Sequence, residues 1–152
     1  MFQLPSAPPA AIACVRSHSP DLHITGTVSF FCCGGGTLVV ADICGLPADP
    51  SGGRGIHGFH IHEGPCCTGA DFADTGGHFN LENRPHPQHA GDLPPLFACR
   101  NGHTLCVVLT DRFRPADVVG RTVVIHSDAD DLMTQPAGNA GKKIACGVIR
   151  SL

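Results

Sequence analysis

The sequence predicts an all-β fold, and three features support this prediction. The chain has 19 Gly and 13 Pro in 152 residues, a composition that favours many short elements joined by tight turns. Its apolar residues lie in short or alternating runs bounded by turn residues, and we find no amphipathic helix of useful length. A chain of this length can also bury most of its surface in one domain. We therefore expect a single all-β domain over residues 1–152, built from eight short strands.

The first four predicted strands lie in the first half of the chain. Each is an apolar or alternating run that ends at turn residues. The runs are AIACVR (11–16), DLHITGTVSFFCC (21–33), GTLVVADICGL (36–46) and GIHGFHIHE (55–63). The GGG triplet at 34–36 predicts that the second and third strands form a hairpin.

The last four predicted strands follow a long middle segment. They are PLFACR (95–100), HTLCVVLTD (103–111), RTVVIHSD (121–128) and KKIACGVIR (142–150). Asn101 and Gly102 separate the first two of these runs and form the strongest short hairpin signal in the chain.

Two connections are longer than the few residues usual in a compact domain, and they cover residues 64–94 and 127–142. Long irregular connections of this kind are usually functional or disordered. The first contains glycines, prolines, three histidines and three aspartates, so hydrophobic burial alone could not order it. We expect another interaction to hold it in place.

Composition and charge exclude several classes of function. Charged residues make up 15% of the chain and the formal net charge is −3, so we expect neither a nucleic-acid-binding face nor an acidic tail. The N-terminal residues lack the basic start and apolar core of a signal peptide, and no run of 18 apolar residues predicts a membrane span. We expect a cytoplasmic protein with neither nucleic acid nor membrane among its partners.

The 9 cysteines are an odd number, so at least one is unpaired within the chain. Free cysteine behaves as a small buried apolar residue. Five cysteines lie in apolar, strand-like runs, and we expect them to be packing residues: Cys14, Cys32, Cys44, Cys99 and Cys106.

Two histidines project from one face of the fourth predicted strand. Side chains two residues apart share a face, so His60 and His62 point together while Ile61 points the other way. The alternative is that such a pair merely lines a solvated sheet face. His57 has the opposite parity from His60, and we expect it to be an ordinary surface histidine, like His18, His23 and His103.

The segment RPHPQHAGDL places His86, His89 and Asp92 at steps of three. Its prolines and glycine forbid a regular helix but allow tight turns, so the two imidazoles and the carboxylate can converge. This set suits tetrahedral Zn²⁺ if one further imidazole joins it. The alternative is a polar surface loop with scattered histidines.

Five separated motifs, GFHIHE, GGHFN, HAGDL, TVVIHSDADDL and GNAGKKIACGVI, follow one another in the order found in copper/zinc superoxide dismutases. The chain resembles that family from about Gly36 to Ile149. The resemblance implies an eight-stranded Greek-key β-barrel or flattened sandwich with two long functional loops, in agreement with the strand count.

The resemblance implies two metal sites that share one histidine. The implied copper ligands are His60, His62, His78 and His126. The implied zinc ligands are His78, which bridges the two metals, together with His86, His89 and Asp92. Asp130 occupies the position of the family aspartate that links the two sites, and the adjacent Asp131 is the weaker candidate.

The resemblance also implies an intrasubunit disulfide between Cys67 and Cys146. In the chain-entropy model, closing so long a segment stabilises the fold by roughly 4 kcal/mol. The adjacent Cys66 competes for the same partner, and we choose Cys67 because Thr68 matches the family context.

Two departures from the family pattern stand out. Only Pro87 and Gln88 separate His86 from His89, where the family usually has a longer insertion, so the zinc loop must be rebuilt. Lys143 stands where the family has an arginine near the active channel. The compact ammonium of lysine thus replaces the planar guanidinium of arginine, which can donate two parallel hydrogen bonds. Lys142 and Lys143 can still attract a small anion, with weak steering.

The resemblance implies superoxide dismutase activity, with copper and zinc as cofactors and the superoxide anion as substrate. One superoxide reduces Cu(II) and leaves as O₂, and a second reoxidises Cu(I) and takes two protons to become H₂O₂. His78 and Lys143 are the implied catalytic residues, and His78 would accept a proton on copper reduction and give it to the peroxide. Zinc and Asp130 would keep the ligands oriented.

Three other functions are weighed against this one. A copper-only dismutase requires a vacant zinc site, which the intact zinc ligand set argues against. Copper-delivery relatives commonly lack part of the copper set and carry an added metal-binding domain or CxC tail, whereas this chain has all four histidines and neither addition. A zinc-stabilised structural barrel predicts a blocked copper position. A homodimer is compatible with the family, but the sequence does not show its interface.

Overall fold

The computed structural model describes residues 6–48 and 55–152. It has eight strands, a 3₁₀ segment at Ala70–Thr75 and one short helix, α1, at Pro115–Val118. The strands are β1 Ala11–Arg16, β2 Thr25–Cys33, β3 Gly36–Cys44, β4 Ile56–His62, β5 Asp92–Phe97, β6 Thr104–Thr110, β7 Thr122–His126 and β8 Lys143–Ser151. None of the helices among these residues is long and apolar enough to cross a membrane.

The strands form one antiparallel sheet in the order β5-β4-β7-β8-β1-β2-β3-β6. The two strands at the ends of this order, β5 and β6, lie against each other, so the sheet curls into a nearly closed barrel. β3 pairs with β6, and β4 pairs with β7, so strands that are not consecutive in the sequence lie side by side in the sheet. The prediction of an eight-stranded, Greek-key β-barrel is confirmed.

The barrel interior is filled by the alternate residues of each strand. In β1, Ala11, Ala13 and Val15 are buried, while Cys14 between them and Arg16 after them are exposed. The largest interior side chains include Phe30 and Phe59. Burial of this apolar surface is the main term that stabilises the barrel.

The prediction that five cysteines are packing residues is wrong for four of them, which are exposed. It is confirmed for Cys106, which is half-buried and packs against the core. Strand parity explains the error at Cys14, because its two neighbours in β1 point into the core and turn its thiol to the outer face. The exposed four are Cys14, Cys32, Cys44 and Cys99.

The predicted strand boundaries differ most from the structure at the starts of β2 and β5. β2 begins at Thr25 instead of residue 21, because the hydroxyl of Ser17 bonds Leu22 and Ile24 and holds this segment as a turn. β5 begins at Asp92, three residues before the predicted start, and includes Pro94 and Pro95. Prolines are tolerated there because β5 is an edge strand in the pairing order, where a missing N–H costs little.

The register of β4 positions the histidine-rich region. His60 lies opposite Val124 of β7 on one side and Asp92 of β5 on the other. His62 forms an isolated bridge with His78 in the long connection. The outer face of β4 is covered by the two long connections, so these histidines are buried although they point away from the core.

Candidate metal centre

Four histidines from three parts of the chain converge on the outer face of β4. His60 and His62 come from β4, His126 from the end of β7 and His78 from the first long connection. Each offers a ring nitrogen, and these atoms all lie within 4.8 Å of one another. All four residues are buried, and we call them the four-histidine group.

The nitrogens of the four-histidine group are poorly satisfied by hydrogen bonds. Nε2 of His62 lies 3.3 Å from Nε2 of His126. Among the described residues, Nδ1 of His60 and Nε2 of His78 are buried and have no hydrogen-bond partner. A buried polar atom without a partner is costly, so unpaired nitrogens that converge on one point fit a bound cation.

A second group, which we call the mixed group, is formed by His78, His86, His89 and Asp92, whose ligand atoms also lie within 4.8 Å of one another. Nδ1 of His78 is 2.8 Å from Oδ1 of Asp92. Nδ1 of His86 and Nδ1 of His89 lie 3.1 Å and 3.2 Å from the other carboxylate oxygen. His78 thus offers Nδ1 to this group and keeps Nε2 for the four-histidine group.

The short spacing between His86 and His89 is accommodated by tight turns. Backbone hydrogen bonds run from Gln88 N–H to the Pro85 carbonyl and from Asp92 N–H to the His89 carbonyl, at 2.8 and 3.2 Å. Two consecutive turns therefore bring both imidazoles to one side of the segment.

Side chains from elsewhere hold this rebuilt loop. The amide of Gln135 donates to the His86 carbonyl at 2.7 Å and accepts from the His86 N–H at 3.0 Å. One guanidinium nitrogen of Arg112 donates to the carbonyls of Pro87 and His89 at 3.0 and 3.2 Å. These hydrogen bonds fix the backbone of the short loop, a role that the internal packing of a longer loop could fill.

The carboxylate of Asp130 joins the two groups. Its Oδ2 lies 2.6 Å from Nε2 of His60, and its Oδ1 lies 2.9 Å from Nε2 of His86. Both are the nitrogens that face away from the convergence points, as expected for the outer hydrogen bonds that orient metal ligands. Asp131 is exposed and instead accepts hydrogen bonds from Met133 and Thr134 of its own turn.

Gly138 permits this arrangement of the second long connection. Its φ is +68°, a region that favours glycine, and a Cβ there would lie 1.9 Å from Oδ1 of Asp130 and 2.7 Å from Nε2 of His86. The loop backbone can therefore approach the Asp130–His86 pair only because this position has no side chain.

The protonation of three histidines in the four-histidine group and of Asp92 suits metal binding. Burial lowers the pKa of His62 to about 2 and the pKa of His126 to about 3, and burial also lowers the pKa of His60. Burial would raise the pKa of Asp92, but hydrogen bonding to His78 and the adjacent imidazoles hold that pKa below its usual range. At neutral pH these residues are therefore neutral imidazoles and an ionised carboxylate, the forms that bind metals.

The donor sets fit two different ions. Four neutral imidazoles, with no thiolate or carboxylate, suit copper, which imidazole binds in both oxidation states. Three imidazoles and one carboxylate in a closed shell suit tetrahedral zinc. The shared ring of His78 requires the two ions to be neighbours.

His57, predicted to be a surface histidine, is fully buried. The face of β4 opposite the metal-facing histidines is the core face, not the solvent, and a bulge between His57 and Phe59 shifts the local register. The ring is tolerated because Nδ1 lies 2.9 Å from the His126 carbonyl and Nε2 lies 2.9 Å from the Pro47 carbonyl. The sequence did contain a signal for this burial, because His57 lies only two residues before Phe59 in the same buried strand.

The other three histidines predicted to lie outside the site do so. His23 is exposed, and the exposed His103 pairs with Asp42 at 2.8 Å. The ring of His18 packs on Phe72, with centroids 4.5 Å apart.

The predicted disulfide between Cys67 and Cys146 is confirmed, with a Cα–Cα distance of 5.7 Å and a sequence separation of 79. Both cysteines pack with Phe72 and Val124 in a small second core. This core fixes the start of the first long connection to β7 and β8. Cys66 is a free, half-buried thiol whose Sγ lies 3.4 Å from Oγ1 of Thr68.

Lys143 lies beside the four-histidine group. Its Nζ donates to Oγ1 of Thr75 at 2.7 Å and to the Gly76 carbonyl at 3.0 Å. The same carbonyl lies 2.9 Å from Nδ1 of His62. Burial lowers the pKa of Lys143, and its two acceptors hold Nζ at this edge of the site.

Known proteins resemble this chain in sequence and in structure. The family profile described as copper/zinc superoxide dismutase (SODC) matches residues 24–149. The Cu-Zn superoxide dismutase of Deinococcus radiodurans is 38% identical over 149 aligned residues, which cover 85% of this chain and 79% of that protein. Cu-Zn superoxide dismutase 3 of Arabidopsis thaliana is 34% identical over 160 residues, which cover 94% and 93% of the two chains.

A solved structure gives the same result for the fold. The crystal structure of the clock protein EA4 superposes on this chain with a TM-score of 0.79 at 32% identity. The superposition covers 99% of this chain and 100% of that chain.

Proposed function

This chain belongs to the copper/zinc superoxide dismutase family, and we propose that it disproportionates superoxide to O₂ and H₂O₂ with copper and zinc held in its two histidine groups. The observation that carries the proposal is the position of His78, whose two ring nitrogens serve the two groups. A structural histidine needs only one partner for each nitrogen and no such convergence.

We assign copper to His60, His62, His78 and His126, and zinc to His78, His86, His89 and Asp92. The unpaired nitrogens of His60 and His78 support the first assignment, and the Nδ1 atoms around the Asp92 carboxylate support the second. Asp130 orients a ligand on each side through His60 and His86. We take residues 1–152 as one domain, because one apolar core runs through all eight strands.

Copper, when bound, supplies a centre that gains and loses one electron, so that two superoxide ions and two protons become O₂ and H₂O₂. His78 can supply a proton in the same cycle, because its Nε2 has no other partner among the described residues and faces the four-histidine group. Nδ1 of His78, which lies 2.8 Å from the Asp92 carboxylate, would be held by the zinc site and would keep the ring aimed while Nε2 takes up or releases that proton. Nδ1 of His62 donates to the Gly76 carbonyl and so fixes that ligand.

Lys143 is proposed to attract the substrate. Its ammonium lies at the outer edge of the four-histidine group, where a cation favours a small anion.

The mixed group argues against a copper-only dismutase, and the complete four-histidine group argues against a copper-delivery role.

Seven unpaired thiols, four of them exposed, support a reducing compartment such as the cytoplasm. We also propose that the protein forms a homodimer, the common assembly of soluble oligomers. Sedimentation at micromolar concentration distinguishes a dimer from a monomer of 15.8 kDa.

The function is tested by metal analysis coupled to superoxide consumption. Purified protein is loaded with zinc alone, or with zinc and copper, and each form is analysed for metal content. We expect two metals per chain in the fully loaded form and rapid consumption of superoxide only when copper is present. Two bound metals without copper-dependent turnover would overturn the proposal.

A further inference from the structure

The side chain of Lys143 is held at two points, and one of them is a buried threonine. Oγ1 of Thr75 accepts a hydrogen bond from Nζ at 2.7 Å, and the Gly76 carbonyl accepts another at 3.0 Å. Thr75 has no exposed surface. Nothing in the sequence motifs that identify the family marks this threonine.

We propose that Thr75 is a positioning residue that aims the Lys143 ammonium at the substrate position. The inference rests on the proposed function and deepens it, because it explains how a lysine can work where the family has an arginine. Thr75 touches neither the metals nor the substrate, and it acts only through Lys143.

A lysine alone would be poorly placed for this task. Its ammonium is a point charge on a flexible four-carbon stem, with three donors that rotate freely, whereas an arginine carries donors in a rigid fork. In this chain Thr75 and Gly76 take two of the three N–H donors. The third donor then has a defined direction and is left for a small anion.

The hydroxyl of Thr75 is oriented as an acceptor for Lys143. Its own proton goes to the Phe72 carbonyl at 2.9 Å, so its lone pairs are free to face Nζ. Phe72 packs in the small core around the Cys67–Cys146 disulfide. The threonine is therefore fixed to a part of the fold that the disulfide holds rigid.

The Thr75 backbone is fixed as well. Its carbonyl accepts a hydrogen bond from the Gly64 N–H at 2.7 Å. It ends the 3₁₀ segment, and the next residue, Gly76, has a φ of +66°. Both acceptors of Lys143 thus lie on a turn whose geometry is set independently of the lysine.

The experiment compares Thr75→Val, which keeps the shape and removes the hydroxyl, with Thr75→Ser, which keeps the hydroxyl. In the holoenzyme we expect Thr75→Val to lower the second-order rate constant for superoxide by about threefold to tenfold, the effect of one typical lost hydrogen bond. Thr75→Ser is expected to stay near the starting value. Both variants should keep full copper and zinc content.

A second arm separates positioning from a structural role. In a Lys143→Arg background the rigid guanidinium can bond the Gly76 carbonyl without a second contact to Thr75. Thr75→Val should therefore change the rate constant by less than about twofold in that background. An equal loss in the Lys and Arg backgrounds would overturn the inference, as would an unchanged rate constant in the Lys background.

A readout that does not depend on dismutase activity uses the zinc-loaded protein without copper. NMR relaxation at Cε of Lys143 should report a rigid side chain in the starting protein and in Thr75→Ser, and a mobile one in Thr75→Val. A side chain equally mobile in all three would overturn the inference even if the enzyme is active.

If superoxide turnover is absent but Thr75 rigidifies Lys143, the proposed function fails while the positioning contact stands. If Thr75→Val does not fold, Thr75→Ala provides the same comparison.

Discussion

Nδ1 of His57 lies 2.9 Å from the carbonyl oxygen of His126, so a residue on the core face of β4 contacts the backbone of a histidine in the four-histidine group. The other ring nitrogen contacts the Pro47 carbonyl at 2.9 Å. His57 therefore joins the barrel interior, the strand end that carries His126 and the segment after β3.

Replacing His57 by Phe should destabilise the protein and weaken copper binding. The change removes the ring N–H that bonds one of the two carbonyls, and leaving that buried carbonyl without a donor costs about 1–3 kcal/mol. Urea unfolding of the zinc-loaded protein measures the loss, and copper titration measures the affinity. His103→Gln removes an exposed pair and is the matched control, expected within about 0.5 kcal/mol of the parent. Equal stability of the two variants would contradict the role of His57.

Replacing Asp130 by Asn should weaken both metals together. One carboxylate contacts His60 on one side and His86 on the other, and loss of such an outer hydrogen bond typically costs about 10- to 100-fold in metal affinity. Asp131→Asn removes the neighbouring carboxylate, which contacts only its own turn, and should leave both affinities nearly unchanged. Competition with chelators measures the affinities. A loss confined to the Asp131 variant would show that the wrong aspartate was assigned.

The fold could be predicted from the sequence where a short apolar run is bounded by turn residues, as in β1 and β7. The two long connections were predictable because their glycines and prolines separate such runs. Residue types indicated the metal groups, but their convergence comes from pairing between distant strands, such as His60 opposite Asp92. The burial of His57 and the exposure of Cys14 were missed, since both depend on which strand face is inside. The Thr75–Lys143 contact joins residues 68 positions apart and has no local signature.

Cys67, not Cys66, should carry the cross-link in solution. Cys67→Ser should lower the free energy of unfolding by about 2–4 kcal/mol, because the unfolded chain is no longer constrained, while Cys66→Ser should have little effect. Mass spectrometry after alkylation identifies the linked pair, and urea unfolding with and without reductant measures the stability. A linked pair that includes Cys66 in the parent protein would refute this assignment.

The metal-free protein should lose stability as the pH falls from about 7 towards 4. Burial lowers the folded pKa of His62 to about 2 and of His126 to about 3, whereas both have an ordinary value of 6.5 when unfolded. The unfolded chain therefore binds more protons below pH 6.5, so acidification favours unfolding, and this contribution is fully present only above that pH.

Urea unfolding of the metal-free protein across this pH range provides the measurement. The double variant His62→Gln with His126→Gln should show a shallower slope of unfolding free energy against pH, because two of the responsible groups are gone. A parent protein whose stability is constant or rises on acidification between pH 6.5 and pH 4 would contradict the burial of these rings as neutral groups.

The central claim is that the ring of His78 is shared by two neighbouring ions. Anomalous diffraction from crystals of the fully loaded protein, recorded at the copper and zinc absorption edges, tests it directly. We predict one copper peak among His60, His62 and His126, one zinc peak among His86, His89 and Asp92, and the His78 ring between them. A single peak, or two peaks with His78 beside only one of them, would contradict the account.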